Sequence, residues 1–133
     1  MKHDEFIKHV QSLAQLNSRE EAERATRATL EVLKERIVGD EASQLAAQLP
    51  QEFKQYLQGR EGENGQYFRL EEFIKRMSEK EGVEPTAAAI HIRAVFAVLQ
   101  DAVTPGELAD VRANLSEDYE ELFPPAQNKT QVS

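Results

Sequence analysis

Residues 5–8 read Glu-Phe-Ile-Lys, and residues 72–75 read Glu-Phe-Ile-Lys again. The echo runs on for some fifty residues. Arg27-Ala28 returns as Arg93-Ala94, Val32-Leu33 as Val98-Leu99, Leu49 as Leu115, Leu45 as Val111 and Phe53 as Tyr119. The offset is 67 residues at the start (5 to 72) and 66 later (27 to 93), so one residue is lost near residue 17. The chain reads as one unit written twice. Half of a 133-residue chain buries too little surface to be more than marginally stable alone, whereas the whole can bury roughly 68% of what it exposes when unfolded. The expectation is an all-α fold of about eight helices in two tandem four-helix repeats sharing one core. Repeat one is placed at 4–58, a linker at 59–69 and repeat two at 70–123. Together they form a single domain over 1–125, followed by a disordered tail at 126–133.

The local signals are helical throughout. Asp4 is an N-cap candidate for a helix running to about Leu16, with Phe6, Ile7, Val10, Leu13 and Ala14 on one face. Ser18 and Glu21 form a capping box opening a second helix. That helix carries Ala22, Thr26, Leu30, Leu33 and Ile37 at helical spacing and is expected to stop at Gly39. Asp40 is read as the cap of a third helix, and Pro50 as the first turn of a fourth that ends at Gly59. The second unit repeats the plan: a helix over about 70–81 closing at Gly82, then starts at Pro85, at Thr104-Pro105 and at Ser116, with a stop at Phe123-Pro124-Pro125. Between Ile90 and Leu99 only His91 and Arg93 are polar. A helix apolar nearly all round is usually buried on most sides, so this rod is the expected centre of the domain. Alternating β-branched runs are absent, and no strand is predicted.

Composition narrows the function classes. Asp and Glu number 24 against 16 Lys and Arg, a net charge of −8. Nucleic acid and anionic membrane surfaces call for clustered cations instead. The simpler role of the excess is solubility. There are no cysteines, which excludes disulfides, thiolate metal sites and Cys nucleophiles. The N-terminus is polar and amphipathic, unlike a secretory signal, and no apolar run approaches the ~18 residues of a membrane span. A cytoplasmic location is expected by elimination.

Chemical motifs are few. In a calcium loop counted from Arg60, Gly65 and Glu71 would fall at the required glycine and final glutamate. The first and third positions would then be Arg60 and Gly62, where carboxylates belong, so the segment reads as a loose inter-repeat loop whose end Tyr67 and Phe68 anchor by packing. His3, His9 and His91 include no i, i+4 pair of the kind that binds metal on a helix. His91, beside the apolar face, reads as a packed histidine. No nucleophile elbow or phosphate loop is present. Neither a catalytic residue, a cofactor nor a metal ligand is assigned. The arginines say more. Arg27 has Glu23 one turn before it, whereas Arg93 and Arg112 have no carboxylate three or four residues away. A bare Arg on an apolar helix must reach water or meet a distant carboxylate. Arg27, Arg93 and Arg112 are therefore candidates for structural ion pairs, the last two between helices.

The runs Asp-Glu-Phe-Ile-Lys (4–8), Glu-Ala-Glu-Arg-Ala-Thr-Arg-Ala-Thr-Leu-Glu-Val-Leu-Lys-Glu-Arg-Ile (21–37) and Asp-Glu-Ala-Ser-Gln-Leu-Ala-Ala-Gln-Leu-Pro (40–50) resemble the domain of unknown function 2267 family. So do Arg-Ala-Val-Phe-Ala-Val-Leu (93–99), Pro-Gly-Glu-Leu-Ala-Asp-Val-Arg-Ala-Asn-Leu (105–115) and Asp-Tyr-Glu-Glu-Leu-Phe (118–123). The resemblance covers about 4–123. It implies a compact, all-α, two-repeat bacterial protein, and it brings no activity, cofactor or catalytic residue. Arg69 departs from the small residue expected to cap the helix that follows it.

Function is not legible from these residues. The expectation is a non-catalytic helical interaction or regulatory protein that binds another protein or itself. The alternative is an apolar small molecule held between the repeats, beside Ala87, Ala88, Ala89, Ala94 and Ala97. Small residues more commonly serve close helix approach.

Overall fold

A computed structural model describes residues 1–123. The segment 126–133, expected to be a disordered tail, lies outside the described residues, as do Pro124 and Pro125. Among these described residues there are six α-helices: α1 (His3–Ala14), α2 (Arg19–Arg36), α3 (Gly39–Ala47), α4 (Leu70–Glu81), α5 (Pro85–Ala102) and α6 (Pro105–Ala113). Two 3₁₀ turns, Gln51–Tyr56 and Glu117–Leu122, follow α3 and α6. No strand occurs among the described residues. The element lengths run 12, 18, 9 and 6 residues, and then 12, 18, 9 and 6 again. Among the described residues no single helix is long and apolar enough to cross a membrane.

Several helix ends are set by contacts distant in sequence. Ser18 caps α2 as expected, its Oγ accepting from Glu21 N at 3.1 Å, while the Glu21 carboxylate reaches back to Asn17 N at 2.9 Å. Asp4 does not cap α1; Lys2 holds that position, and Asp4 sits in the first turn bound to Arg19. Gly39 does not stop α2, which ends at Arg36; it is the first residue of α3. Its need for glycine is steric, since a Cβ there would lie 1.7 Å from the Arg60 carbonyl oxygen. Asp40 leaves the cap of α3 to Val38 and accepts from Gly62 N at 2.8 Å instead. Arg69 contributes no cap to α4; Asp118, from the second 3₁₀ turn, accepts from Leu70 N at 2.6 Å. The expected fourth and eighth helices are 3₁₀ turns, too short for an α-helical ladder and pinned by Phe53 and Tyr119 in the core.

Each repeat's first helix leans on both long helices: α1 packs on α2 and α5, and α4 packs on α5 and α2. The long helices also touch each other, and α3 meets α6. The buried apolar side chains form one continuous cluster from Phe6 to Phe123. At roughly 1.5–3 kcal/mol per fully buried large apolar side chain, this cluster is the main stabilising feature. The rod expected at the centre is only half of it. Eight residues of α5 are buried, yet nine of α2 are, and Ile90 on α5 stands 50% exposed. Charges on the outside of α2 had masked its inner face of Ala, Thr and Leu. Thr26 and Thr29 satisfy their buried hydroxyls by donating to Ala22 O and Ala25 O, both at 2.8 Å.

The linker is tied down rather than loose. Gly39 N donates to Glu63 O and Gln66 N to Glu35 O, both at 2.9 Å. The Arg60 guanidinium donates to Lys34 O (3.1 Å) and Glu35 O (3.4 Å) at the C-terminal end of α2, where a cation also suits the helix dipole. Of the two aromatics expected to fold back, Phe68 is buried but Tyr67 is 70% exposed, lying over the Arg36 guanidinium at 4.9 Å.

Candidate functional site

Arg27 pairs forward with Glu31 at 3.1 Å, not back to Glu23, and its guanidinium lies over the Tyr56 ring. Arg93 donates to Glu121 at 2.8 Å, and Arg112 to Glu120, so both reach carboxylates on the second 3₁₀ turn. These contacts join helices within one repeat and lie in solvent, where such pairs contribute little. Among the described residues the ion pairs between repeats are Arg76–Glu35 at 2.8 Å and Lys80–Glu31 at 3.7 Å.

The arginine that ties the repeats together most tightly is Arg36, only 5% exposed. It donates to Phe68 O (2.7 Å), Asn114 O (3.0 Å) and Ser116 Oγ (3.5 Å), with the Tyr119 ring 5.3 Å away. Tyr119 Oη donates to the same Phe68 carbonyl at 2.8 Å. Burial pushes that phenol up to about 12, despite the opposing pull of Arg36, and keeps it a donor. No local spacing signals Arg36, because its partners are mainly backbone carbonyls far along the chain.

His91 is packed, as expected, and has a buried partner. Its Nδ1 lies 2.9 Å from both oxygens of Glu81, a side chain 3% exposed. The pair closes the inner wall of a cleft of about 260 Å³, lined also by Gln15, Leu16, Asn17, Glu21, Arg24 and Val83. The Glu81 carboxyl group against Nδ1 orients the imidazole, a group with the chemistry of a base. No hydroxyl or thiol side chain lines the cleft for such a base to activate. The pair's evident role is to join the end of α4 to α5.

A second charged cluster lies where α3 meets α6. Glu41, Glu107 and Asp110 each bring one carboxylate oxygen to within 4.8 Å of the others. Glu41 and Glu107 hold equivalent places in the two repeats, 66 residues apart (41 to 107). Burial, and then Glu41 beside it, push the Glu107 carboxyl up to about 8.

An apolar surface depression is shared by α1 and α5. Leu13, Ile90, Arg93, Ala94 and Ala97 line a shallow hollow of about 290 Å³. Leu13 (57% exposed), which periodicity places on the apolar face of α1, and Ile90 (50%), at the start of the apolar rod, both face solvent. By contrast, the seam between α4 and α5 near Ile74, Ala89 and Ile92 encloses only about 10 Å³, too little for an organic ligand. Ala88 and Ala94 are buried in the packed core instead.

A model of the family described as "Uncharacterized conserved protein (DUF2267)" matches residues 3–122, and the chain belongs to that family. No curated protein matches the chain. The function is not established by these comparisons.

Proposed function

We propose that this DUF2267 member is a non-catalytic helical interaction module that docks another protein on the α1–α5 face. The observation that carries the reading is the pair of large apolar side chains, Leu13 and Ile90, standing half in water around a hollow floored by Ala94 and Ala97. Exposed apolar area of this kind costs solubility and marks interaction surfaces. Arg93 is the one charge in the lining, on a chain with an excess of acids. The partner that suits this face is therefore an apolar ridge flanked by a carboxylate. The acidic surface disfavours nucleic acid, and a second copy of the same chain carries the same net charge. A cytoplasmic setting belongs to the same proposal, supported by the absence of cysteine and of a membrane-length apolar helix.

The test is affinity purification from the native host with three baits: wild type, Ile90→Asp and Arg24→Asp. One protein retained in stoichiometric amount by wild type and Arg24→Asp, and lost with Ile90→Asp, is the expected result. Identical recoveries with all three baits would remove the face from consideration. A homodimer in native mass spectrometry that Ile90→Asp dissolves would replace the foreign partner with a second copy.

A further inference from the structure

We propose that the cleft between the α1–α2 and α4–α5 connections binds a small aliphatic monocarboxylate, held by Arg24 and by Nε2 of His91. Two independent observations point to a ligand. The first is Arg24, an exposed side chain in the cleft lining. Of the chain's nine arginines, seven meet a carboxylate within 4.0 Å and Arg36 donates to backbone carbonyls. Among the described residues Arg24 alone has no such partner, on a chain where acids outnumber bases by 24 to 16. The second is His91, buried at 7% exposure with its Nδ1 occupied by Glu81. Its Nε2 takes part in no hydrogen bond among the described residues, yet it is not sealed from solvent. The opening it looks into is this cleft. Beyond joining α4 to α5, the Glu81 contact thus aims a polar ring atom inward from the cleft wall.

The chemistry of the ligand follows from the lining. A guanidinium fork matches the two oxygens of a carboxylate, and the second set of lone pairs remains for His91. A phosphate group would fit the fork too, but it carries nearly two negative charges. Apart from His91, the other titratable groups in the lining are the acids Glu21 and Glu81, so a second negative charge would go unopposed. Neither acid occupies Arg24: Asn17 N donates to Glu21 at 2.9 Å, and Glu81 is engaged with His91. Leu16 and Val83 offer apolar wall for a short hydrocarbon body. At about 260 Å³ the cleft falls below the ~300–1,000 Å³ of sites for drug-sized molecules, which limits the ligand to a small acid. The cleft shares no residue with the α1–α5 hollow, so this site and the docking face stand or fall separately.

The test titrates the full chain with isovalerate, isovaleramide, inorganic phosphate and a short peptide with a free C-terminus, each against sodium chloride of matched ionic strength. NMR follows the Arg24 Nε–H and His91 ring resonances at fixed pH. Isovalerate is expected to shift both saturably in the millimolar range, and the uncharged amide to bind about tenfold more weakly or worse, having lost the charged hydrogen bonds. Arg24→Gln removes no contact of the fold. It should keep the wild-type Tm while losing isovalerate affinity by about tenfold or more. No saturable shift at Arg24 and His91 with isovalerate would overturn the proposal, as would unchanged affinity in Arg24→Gln. Tighter binding of phosphate, or binding of the peptide alone, would also overturn it, by giving the cleft to a different anion or to a protein terminus.

Discussion

The α1–α5 face and the α2–α4 face are made from the same positions of the two repeats, yet they differ in character. On one side stand Leu13, Ile90, Ala94 and Ala97; their counterparts on the other are Lys80, Arg24, Ala28 and Glu31. The second face is laced by charge, with Lys80 3.7 Å and Arg27 3.1 Å from Glu31. The first offers its solvent large apolar groups instead. Fold maintenance requires neither outer surface to be apolar, since the charged version serves α2 and α4 well. What the contrast teaches is that the core repeats while one outer surface keeps large apolar groups in solvent, the feature on which the proposed docking face rests.

The same asymmetry appears inside. Arg36 occupies the position that Ala102 holds in the second repeat, and the Glu81–His91 pair corresponds to Ala14 and Ala25. Each device fastens the repeats or helices at one place only. Arg36→Met should therefore show the largest effect, destabilising the chain by about 2–3 kcal/mol in chemical denaturation, because charged hydrogen bonds to Phe68 and Asn114 are lost together. A neutral outcome would mean that the apolar core alone fixes the repeats. Next is Glu107→Gln. A carboxyl whose folded pKa is raised to about 8 from an ordinary value near 4.5 contributes stability present below pH 4.5 and lost as pH climbs through 8. The groups facing it, Glu41 on α3 and Asp110 on α6, are both acids. The variant should thus exceed wild type at pH 8.5 by at least about 1.4 kcal/mol, the worth of one pKa unit, with the gap closing towards pH 5.

Smaller effects probe the faces themselves. Ile90→Arg with Ala97→Glu writes the charged pattern onto the apolar side. Stability should stay within about 0.5 kcal/mol, as for surface changes generally, while partner recovery is lost. A large loss of stability would show the hollow to be part of the core. Arg93→Met should cost less than about 1 kcal/mol, since its bond to Glu121 lies in solvent. A cost of several would reveal a buried role that its exposure does not suggest.

The repeat made much of this architecture legible in advance. An offset read from a few matching residues placed the second unit's elements opposite the first, and the family resemblance agreed. What stayed hidden depends on contacts distant in sequence. Gly39 looked like a helix stop, but its need for glycine comes from Arg60, which no local pattern reveals. Arg36 carries no signal at helical spacing, because its acceptors lie 32 to 80 residues away. The exposure of Leu13 and Ile90 is hidden because helical periodicity and apolar runs count residues without showing which faces gain neighbours. The Glu41–Glu107 contact had a signal in the sequence: acids at equivalent repeat positions are candidates to meet across an internal pseudo-symmetric contact.

The most direct measurement is methyl and amide NMR of the chain, free and bound to the protein it retains in cells. Shifts concentrated at Leu13, Ile90, Ala94 and Ala97, with Arg24, Glu31 and Lys80 unmoved, are what the proposed docking face predicts. Shifts centred on the charged face, with Leu13 and Ile90 silent, would contradict it.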